Sequence, residues 1–288
     1  MVNIFPLMKD VLRIPHLKNK TVIVTGGATG LGKKIAEHYA CNDVNTIICS
    51  RNEERLQNTT NEINKKYNNN KVKYYKVDVS NTESVNLFFQ DLKMDNVKPD
   101  FLINNAAGNF ISRTEDLSPN AINKIVDIVL KGTVNMTMNF SKDLINEKRN
   151  GSIINISTIY ADTGSSFVVP SAISKSGVNA LTRSLASEWG KYGIRTNAIA
   201  PGSIYTKGAF SRLDPTGEFK KSLIKKNPSG RLGEREELAN LIMFLSSDYA
   251  AWLNGQIIKF DGGESNNRSG QMNEMLSLPD EFWKSIKK

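Results

Sequence analysis

The chain has 288 residues, of which 39% are hydrophobic, and a formal net charge of +9 at pH 7. This length suits one α/β domain, because such domains often reach about 250 residues as a single unit. No apolar run approaches the roughly 18–20 residues that a membrane-spanning helix needs, so the sequence predicts a soluble protein. The basic residues are scattered without interleaved aromatic side chains, which argues against a nucleic-acid-binding module and leaves phosphate-rich cofactors or substrates as better partners.

Short apolar runs alternate with amphipathic runs along the chain. The predicted strands are residues 21–24, 46–50, 72–77, 101–104, 152–157, 195–200 and 256–260. The predicted helices are residues 32–40, 53–67, 82–92, 120–147, 171–191 and 236–247. Continuous apolar strands joined by helices are typical of a doubly wound α/β fold with one parallel sheet. We therefore predict a single Rossmann-type domain, with a core at 18–264 and a substrate loop at 201–235, since long connections often bind ligands.

A glycine-rich loop follows the first predicted strand and precedes the first predicted helix. This context is the one that a dinucleotide-binding fingerprint requires. Glycine lets the backbone turn sharply and approach a pyrophosphate, while the N–H groups of the helix start attract its negative charge. The predicted pyrophosphate-binding residues are Gly26, Gly27, Ala28, Thr29, Gly30, Leu31 and Gly32.

The end of the second predicted strand indicates which dinucleotide binds. An NAD-binding protein usually carries an acidic residue here for the ribose 2′-hydroxyl. This chain has Ser50 and Arg51 instead. A guanidinium offers a planar fork that suits a phosphate, so the residues favour NADP(H) over NAD(H).

Several further motifs extend this pattern over nearly the whole chain. They are residues 77–79 (V-D-V), residues 104–108 (N-N-A-A-G), residues 151–157 (G-S-I-I-N-I-S) and residues 201–202 (P-G). With the glycine-rich loop, they resemble the short-chain dehydrogenase/reductase family. The resemblance implies that Asp78 binds the adenine, that Asn105 lies along the adenosine, and that residues Pro201, Gly202, Ser203 and Ile204 line the nicotinamide.

The chain departs from that family at the catalytic centre. The usual tetrad is asparagine, serine, tyrosine and lysine, and only the lysine is unchanged, as Lys175. Ser171 stands at the tyrosine position, Thr158 at the serine position and Val129 at the asparagine position. These changes would remove catalytic groups on which an ordinary ketoreductase depends.

One branch of the family, the eukaryotic 2,4-dienoyl-CoA reductases, tolerates such changes, and this chain resembles it. The similar runs are residues 104–112, 117–121, 127–133, 160–165 and 206–217. The resemblance implies that NADPH delivers a hydride to the δ carbon of a 2,4-dienoyl thioester and that Tyr160 and Asn109 donate hydrogen bonds to the thioester oxygen. Lys175 would bind the nicotinamide ribose, and Ser171 would orient the neighbouring groups.

The same resemblance implies a fatty acyl-CoA substrate. Its contacts would be Arg51, Phe110, Ser118, Tyr160 and Arg212, with Ser80 at a position where relatives carry a basic contact. From the residues alone, Ser118 is better explained as a helix N-cap before Pro119, and only the resemblance favours the substrate contact. The resemblance further implies a homotetramer and, because the C-terminus lacks a peroxisomal signal, a mitochondrial location. No metal site is predicted, because Cys41 and Cys49 give no metal-binding spacing.

Two other classes of function stay open on the sequence. One is a different NADP-dependent reductase, acting on a 3-oxoacyl thioester or a steroid, although Ser171 in place of tyrosine speaks against it. The other is a non-catalytic NADPH-binding protein, for which the altered tetrad is suited but the presence of Tyr160, Asn109 and Lys175 is not.

Overall fold

The computed structural model describes residues 9–206 and 217–285. Its centre is a sheet of seven parallel strands. The strands are β1 (Thr21–Thr25), β2 (Asn45–Ser50), β3 (Val72–Lys76), β4 (Phe101–Asn104), β5 (Gly151–Ile156), β6 (Ile194–Pro201) and β7 (Ile257–Phe260). Every predicted strand is present, and no end differs from the prediction by more than one residue.

The strand order is β3-β2-β1-β4-β5-β6-β7. All residues of β1 and β4 are buried, as expected for central strands that helices cover on both faces. The winding direction reverses between β1 and β4, and the crevice outside the carboxyl ends of strands at such a point is where doubly wound folds bind ligands. The predicted fold class is confirmed.

Helices on both faces connect the strands. They are α1 (Gly30–Cys41), α2 (Glu53–Tyr67), α3 (Thr82–Met94), α4 (Pro119–Val126), α5 (Gly132–Asn146), α6 (Tyr160–Thr163), α7 (Val169–Trp189), α8 (Glu218–Lys226), α9 (Arg235–Ser246), α10 (Glu264–Ser269) and α11 (Asp280–Ser285). The predicted ends of α2 are confirmed: the Asn52 side chain accepts a hydrogen bond from the Arg55 N–H, and Asn68 ends the helix at φ +48°. None of the helices in the described ranges combines the length and apolarity that a membrane span requires.

Three connections differ from the prediction. The single helix predicted at 120–147 is two helices, α4 and α5, joined by a wider helical turn at Asp127–Lys131. The loop predicted at 201–235 contains α8 and a strand-like pairing of Ile204 with Gly233. The short helix α6 was not predicted, because four residues are too few for a periodic pattern.

Buried polar side chains tie the centre of the sheet to its helices. Asn104 of β4 donates to Asn155 of β5 and to Thr137 of α5, both at 2.9 Å. Asn155 in turn donates to Thr182 of α7 at 2.9 Å. Buried hydrogen bonds of this kind are costly to break, so the network holds the carboxyl ends of β4 and β5 in a fixed relation to α5 and α7.

Candidate active site

The turn between β1 and α1 is the predicted glycine-rich loop. Gly26 and Gly30 have φ of +66° and +56°, values that other L residues rarely adopt. A Cβ on Gly32 would collide with the carbonyl of Gly26 and lie 2.6 Å from Asn105 Nδ2. Glycine at these three positions is therefore what lets the chain make this turn.

Asn105 fastens the loop to the end of β4. Its Nδ2 donates to the Thr25 carbonyl at 2.9 Å, and its backbone N–H donates to Thr25 Oγ1 at 2.9 Å. The structure thus gives Asn105 a supporting role beneath the loop, and its contact with the cofactor stays a prediction.

The loop fits the pyrophosphate of a dinucleotide. A Cβ at Gly30 would meet no atom within 4 Å, so the backbone is open to close approach there. Gly30 is also the first residue of α1, whose unpaired N–H groups attract an anion. One turn therefore brings together all seven predicted residues: Gly26, Gly27, Ala28, Thr29, Gly30, Leu31 and Gly32.

Ser50 and Arg51 lie at the carboxyl end of β2, next to the glycine-rich loop. Ser50 is half-buried, while Arg51 is exposed and has no ion pair with any residue of the described ranges. The Gly26 N–H donates to the carbonyl of Cys49 at 2.8 Å, which keeps this strand end against the loop. An unpaired guanidinium at this point is available to a phosphate on the adenosine ribose.

Asp78 follows β3 on the same side of the crevice. Its Oδ1 accepts from the Ser80 N–H at 3.0 Å and from the Ser80 hydroxyl at 2.6 Å. Its own N–H donates to Ser84 Oγ at 3.1 Å. Ser80, which stands where relatives were expected to carry a basic substrate contact, thus orients Asp78 in this chain.

Tyr160 and Ser171 form a hydroxyl pair past the end of β5. Tyr160 opens α6, Ser171 lies in the first turns of α7, and their oxygen atoms are 3.1 Å apart. Ser171 is 3% exposed, whereas Tyr160 is half-buried. The phenol therefore contacts a buried hydroxyl, while part of the Tyr160 side chain stays accessible.

Lys175 lies one helical turn after Ser171, on the same face of α7. Its Nζ donates to the carbonyl of Ile156, the last residue of β5. Burial lowers the pKa of the Lys175 ammonium to about 8. Among the described residues, the Ile156 carbonyl is the one hydrogen-bond acceptor of this ammonium, which therefore keeps further donor capacity for a ligand.

Asn109 lies past the end of β4, and its side chain is exposed. Its Oδ1 accepts from the Phe110 N–H at 2.9 Å. Because that N–H is a donor, the amide oxygen must face it, and the Nδ2 points away with no partner among the described residues. Asn109 therefore keeps a free donor, and its contact with the thioester oxygen stays a prediction.

The predicted acyl-CoA contacts have different outcomes. Phe110 is half-buried beside Asn109. The Ser118 hydroxyl accepts from the Ala121 N–H at 3.2 Å and caps α4, so the N-cap role is observed, and its contact with the acyl-CoA stays a prediction. Arg212 lies outside the described residues.

Pro201, Gly202, Ser203 and Ile204 form the connection after β6. The Gly202 N–H donates to the Phe260 carbonyl at 3.0 Å, and the Ser203 carbonyl accepts from the Gly233 N–H at 3.0 Å. The Ser203 N–H donates to the carboxylate of Glu264 at 3.1 Å. Glu264 was not predicted from the sequence. The D-G-G turn at 261–263, which follows a strand directly, was a visible signal that the chain folds back here.

Comparison with known proteins identifies the family of the chain. A solved structure of a short-chain dehydrogenase from Bacillus anthracis superposes with a TM-score of 0.78 at 38% identity, covering 88% of this chain and 98% of that one. The family model described as enoyl-(acyl carrier protein) reductase matches residues 26–265. The chain belongs to the short-chain dehydrogenase/reductase family. The fold of that family implies a nicotinamide dinucleotide as cofactor, in agreement with the glycine-rich loop.

Relatives within the family have more specific names. An uncharacterised oxidoreductase of Caenorhabditis elegans is 47% identical, covering 92% of this chain and 86% of the relative. A probable 2,4-dienoyl-CoA reductase of the same organism, described as (3E)-enoyl-CoA-producing, is 43% identical over 96% of this chain and 91% of its own length. A probable 2,4-dienoyl-CoA reductase of Bacillus subtilis, described as (2E)-enoyl-CoA-producing, is 39% identical over 86% of this chain and 97% of its own.

Proposed function

We propose that this protein reduces 2,4-dienoyl-CoA thioesters with NADPH and forms 3-enoyl-CoA. The observation that carries the proposal is the Tyr160–Ser171 pair: a serine occupies the position of the family's catalytic tyrosine, and its hydroxyl lies 3.1 Å from the phenol of Tyr160 on another helix. The phenol of this chain therefore comes from α6 and not from the family's tyrosine position on α7. The names of the relatives from Caenorhabditis elegans and Bacillus subtilis support the same reaction class.

The proposed chemistry needs donors at the thioester oxygen. The reduced nicotinamide supplies a hydride to the δ carbon of the diene. The electron pair then moves along the conjugated chain, and negative charge collects on the thioester oxygen as a dienolate. Tyr160 and Asn109 are neutral donors that would stabilise this charge, and each such donor contributes roughly 2.7–4 kcal/mol in other enzymes. A proton added at the α carbon completes the reduction.

Lys175 and Ser171 would prepare the site for this charge. The Ser171 hydroxyl holds the phenol of Tyr160 from its buried side. The Lys175 ammonium would bind the ribose of the nicotinamide half and place a positive charge near the reacting diene. Phe110, Arg51 and Arg212 are proposed as contacts of the acyl-CoA.

The choice between the two possible products is part of the proposal. Protonation of the dienolate at the α carbon gives a 3-enoyl thioester, whereas protonation at the γ carbon gives a 2-enoyl thioester. The relative that is 43% identical is described as producing the first and the relative that is 39% identical as producing the second. We propose the first product because the resemblance to the eukaryotic branch covers the longest and most distinctive runs of this chain.

Arg51 is proposed to set the preference for NADPH. Replacing it by aspartate (Arg51→Asp) is expected to lower the ratio of kcat/KM for NADPH to that for NADH at least about tenfold, because a charge-assisted hydrogen bond to phosphate is worth about 1.5–3 kcal/mol. Steady-state kinetics with both cofactors measures the ratio. Lys65→Asp, an exposed change at the other end of α2, is the control and should leave the ratio unchanged. An unaltered ratio in Arg51→Asp would show that the 2′-phosphate binds elsewhere.

A substrate comparison tests the proposed function as a whole. NADPH oxidation is followed with a 2,4-dienoyl-CoA, a 3-oxoacyl-CoA and a keto-steroid under identical conditions. We expect consumption of the dienoyl ester and rates at the blank level with the other two. Preference for the 3-oxoacyl ester or the steroid would identify another reductase on this scaffold, and tight NADPH binding without any turnover would identify a non-catalytic protein.

A further inference from the structure

A buried carboxylate supports the connection after β6. Glu264, the first residue of α10, is only 2% exposed. Its Oε2 accepts from the Ser203 N–H at 3.1 Å, and its Oε1 lies 3.4 Å from the Ser203 hydroxyl. Oε1 also pairs with Arg268 at 2.5 Å. A carboxylate this deeply buried is costly unless it is paired and hydrogen-bonded, so the position is built around these three contacts.

The local backbone is shaped to bring Glu264 to Ser203. Gly262 and Gly263 have φ of +62° and +87°, and this turn folds α10 back toward the end of β6. A Cβ on Gly202 would lie 2.9 Å from Glu264 Oε2 and 2.7 Å from the Cβ of Asp261. Any larger residue at 202 would push the carboxylate away from Ser203.

The backbone N–H and the backbone carbonyl of Ser203 are therefore both hydrogen-bonded. Its N–H is bound by Glu264, and its carbonyl is bound by the N–H of Gly233 through a parallel bridge. In such a bridge the N–H and C=O of Ile204 face away from Gly233, and neither has a hydrogen-bond partner among the described residues. A donor and an acceptor on one residue suit a primary carboxamide, which is the polar group of a nicotinamide.

We propose that Glu264 is a positioning residue for the nicotinamide half of the dinucleotide. It acts through Ser203: the carboxylate holds the N–H of the Gly202–Ser203 peptide, and Gly233 holds the carbonyl of the Ser203–Ile204 peptide. With Ser203 fixed in this way, the free N–H and C=O of Ile204 meet the carboxamide. The adenosine half, which would lie over the glycine-rich loop, Ser50 and Asp78, has no contact with Glu264. The inference rests on the dinucleotide-binding family and is independent of the acyl substrate.

A rival explanation is that Glu264 only anchors the C-terminal segment. That segment makes other contacts, since the Asn267 side chain donates to the Lys226 carbonyl at 2.8 Å and Gly263 packs against Pro228. A purely structural role would weaken the fold and both halves of the site together. A positioning role predicts a selective loss, so the two are separable by a ligand that lacks the nicotinamide.

The experiment compares two ligands without using turnover. Dissociation constants are measured for NADP⁺ and for 2′-phospho-ADP-ribose, which is the same molecule without the nicotinamide. In Glu264→Ala we expect the Kd of NADP⁺ to rise about tenfold, consistent with the loss of one or two hydrogen bonds, and the Kd of 2′-phospho-ADP-ribose to change less than about twofold. If the protein prefers NAD⁺, the same pair is NAD⁺ and ADP-ribose.

Two further variants keep the test decisive. Glu264→Gln preserves volume, but a carboxamide has only one acceptor and cannot serve both Ser203 and Arg268; we expect a selective loss of about three- to tenfold. Arg268→Gln removes the ion pair and leaves Ser203 held, so it should lower Tm without selective loss. Three results would overturn the proposal. They are equal losses of affinity for both ligands, unchanged affinities in both Glu264 variants, and the same selective loss of NADP⁺ affinity in Arg268→Gln.

Discussion

Replacing Tyr160 by phenylalanine is expected to lower the turnover of a 2,4-dienoyl-CoA at least about tenfold. The substitution removes one hydroxyl and leaves the ring, so the crevice keeps its shape while the dienolate loses one of its two proposed donors. Losing a donor at a developing oxyanion costs roughly 10²–10³ in kcat in well-studied enzymes. Steady-state kinetics should show the loss mainly in kcat, because the donor acts most strongly on charge that develops during the reaction.

Two variants serve as controls for Tyr160→Phe. Tyr249→Phe removes a hydroxyl from an exposed tyrosine whose ring meets that of His16 edge to face, and it should leave turnover unchanged. Ser171→Ala removes the hydroxyl behind the phenol and should lower kcat by a smaller factor than Tyr160→Phe, since the donor is kept but less firmly placed. Unchanged turnover in Tyr160→Phe would remove this residue from its assigned role.

Replacing Lys175 by methionine is expected to lower kcat/KM on the order of 100-fold and to stabilise the protein without ligand. The activity loss follows because the ammonium is the proposed contact of the nicotinamide ribose, and charge-assisted hydrogen bonds are worth about 1.5–3 kcal/mol. The stability gain follows because the site is built for a charge that burial disfavours: the pKa of Lys175 is lowered from 10.5 to about 8 by desolvation. A residue retained at a cost in stability is typical of a functional site.

The stability gain of Lys175→Met should change with pH in a definite direction. Below pH 8 Lys175 is charged in both the folded and the unfolded states, and the folded state bears the full cost of burying the ammonium. Between pH 8 and 10.5 the unfolded chain binds more protons, so the free energy of unfolding of the unmodified protein rises with pH. The advantage of Lys175→Met, on the order of 1–3 kcal/mol at pH 7, should therefore shrink toward pH 10.

Denaturant unfolding of the ligand-free protein at pH 7 and pH 9.5 measures this difference. Lys191→Met, an exposed change beyond the end of α7, is the matched control and should alter neither stability nor kinetics appreciably. A Lys175→Met variant that is less stable than the unmodified protein at pH 7 would contradict the cost assigned to the buried ammonium.

The sheet could be predicted from sequence because its strands are short, continuously apolar and separated by helices of sufficient length. The strands β1 and β4 carry no exposed residue, so nothing interrupts their pattern. The helix ends were predicted best where a side chain caps them, as Asn52 does for α2. The wider turn at Asp127–Lys131 could not be predicted, because its residues are helical on either side and only the hydrogen-bond spacing changes.

Residues of the site could be predicted only where a short sequence motif has a known physical reason to bind a ligand. The glycine-rich loop and the Ser50–Arg51 strand end have such motifs, and the structure places them together. The Tyr160–Ser171 contact joins two helices across an irregular segment, and no spacing rule indicates its distance. Glu264 lies 61 residues from Ser203 in sequence, so only the folded chain reveals that its carboxylate supports the connection after β6.

The proposed reaction is defined by the carbons that receive the hydride and the proton. The reaction is run in ordinary water with NADPH that carries deuterium at the transferring position, and the product is examined by NMR. We predict deuterium at the δ carbon, hydrogen from water at the α carbon, and the remaining double bond between the β and γ carbons. Deuterium on the carbonyl-derived carbon would contradict the proposed dienolate. A double bond left between the α and β carbons would contradict its protonation at the α carbon.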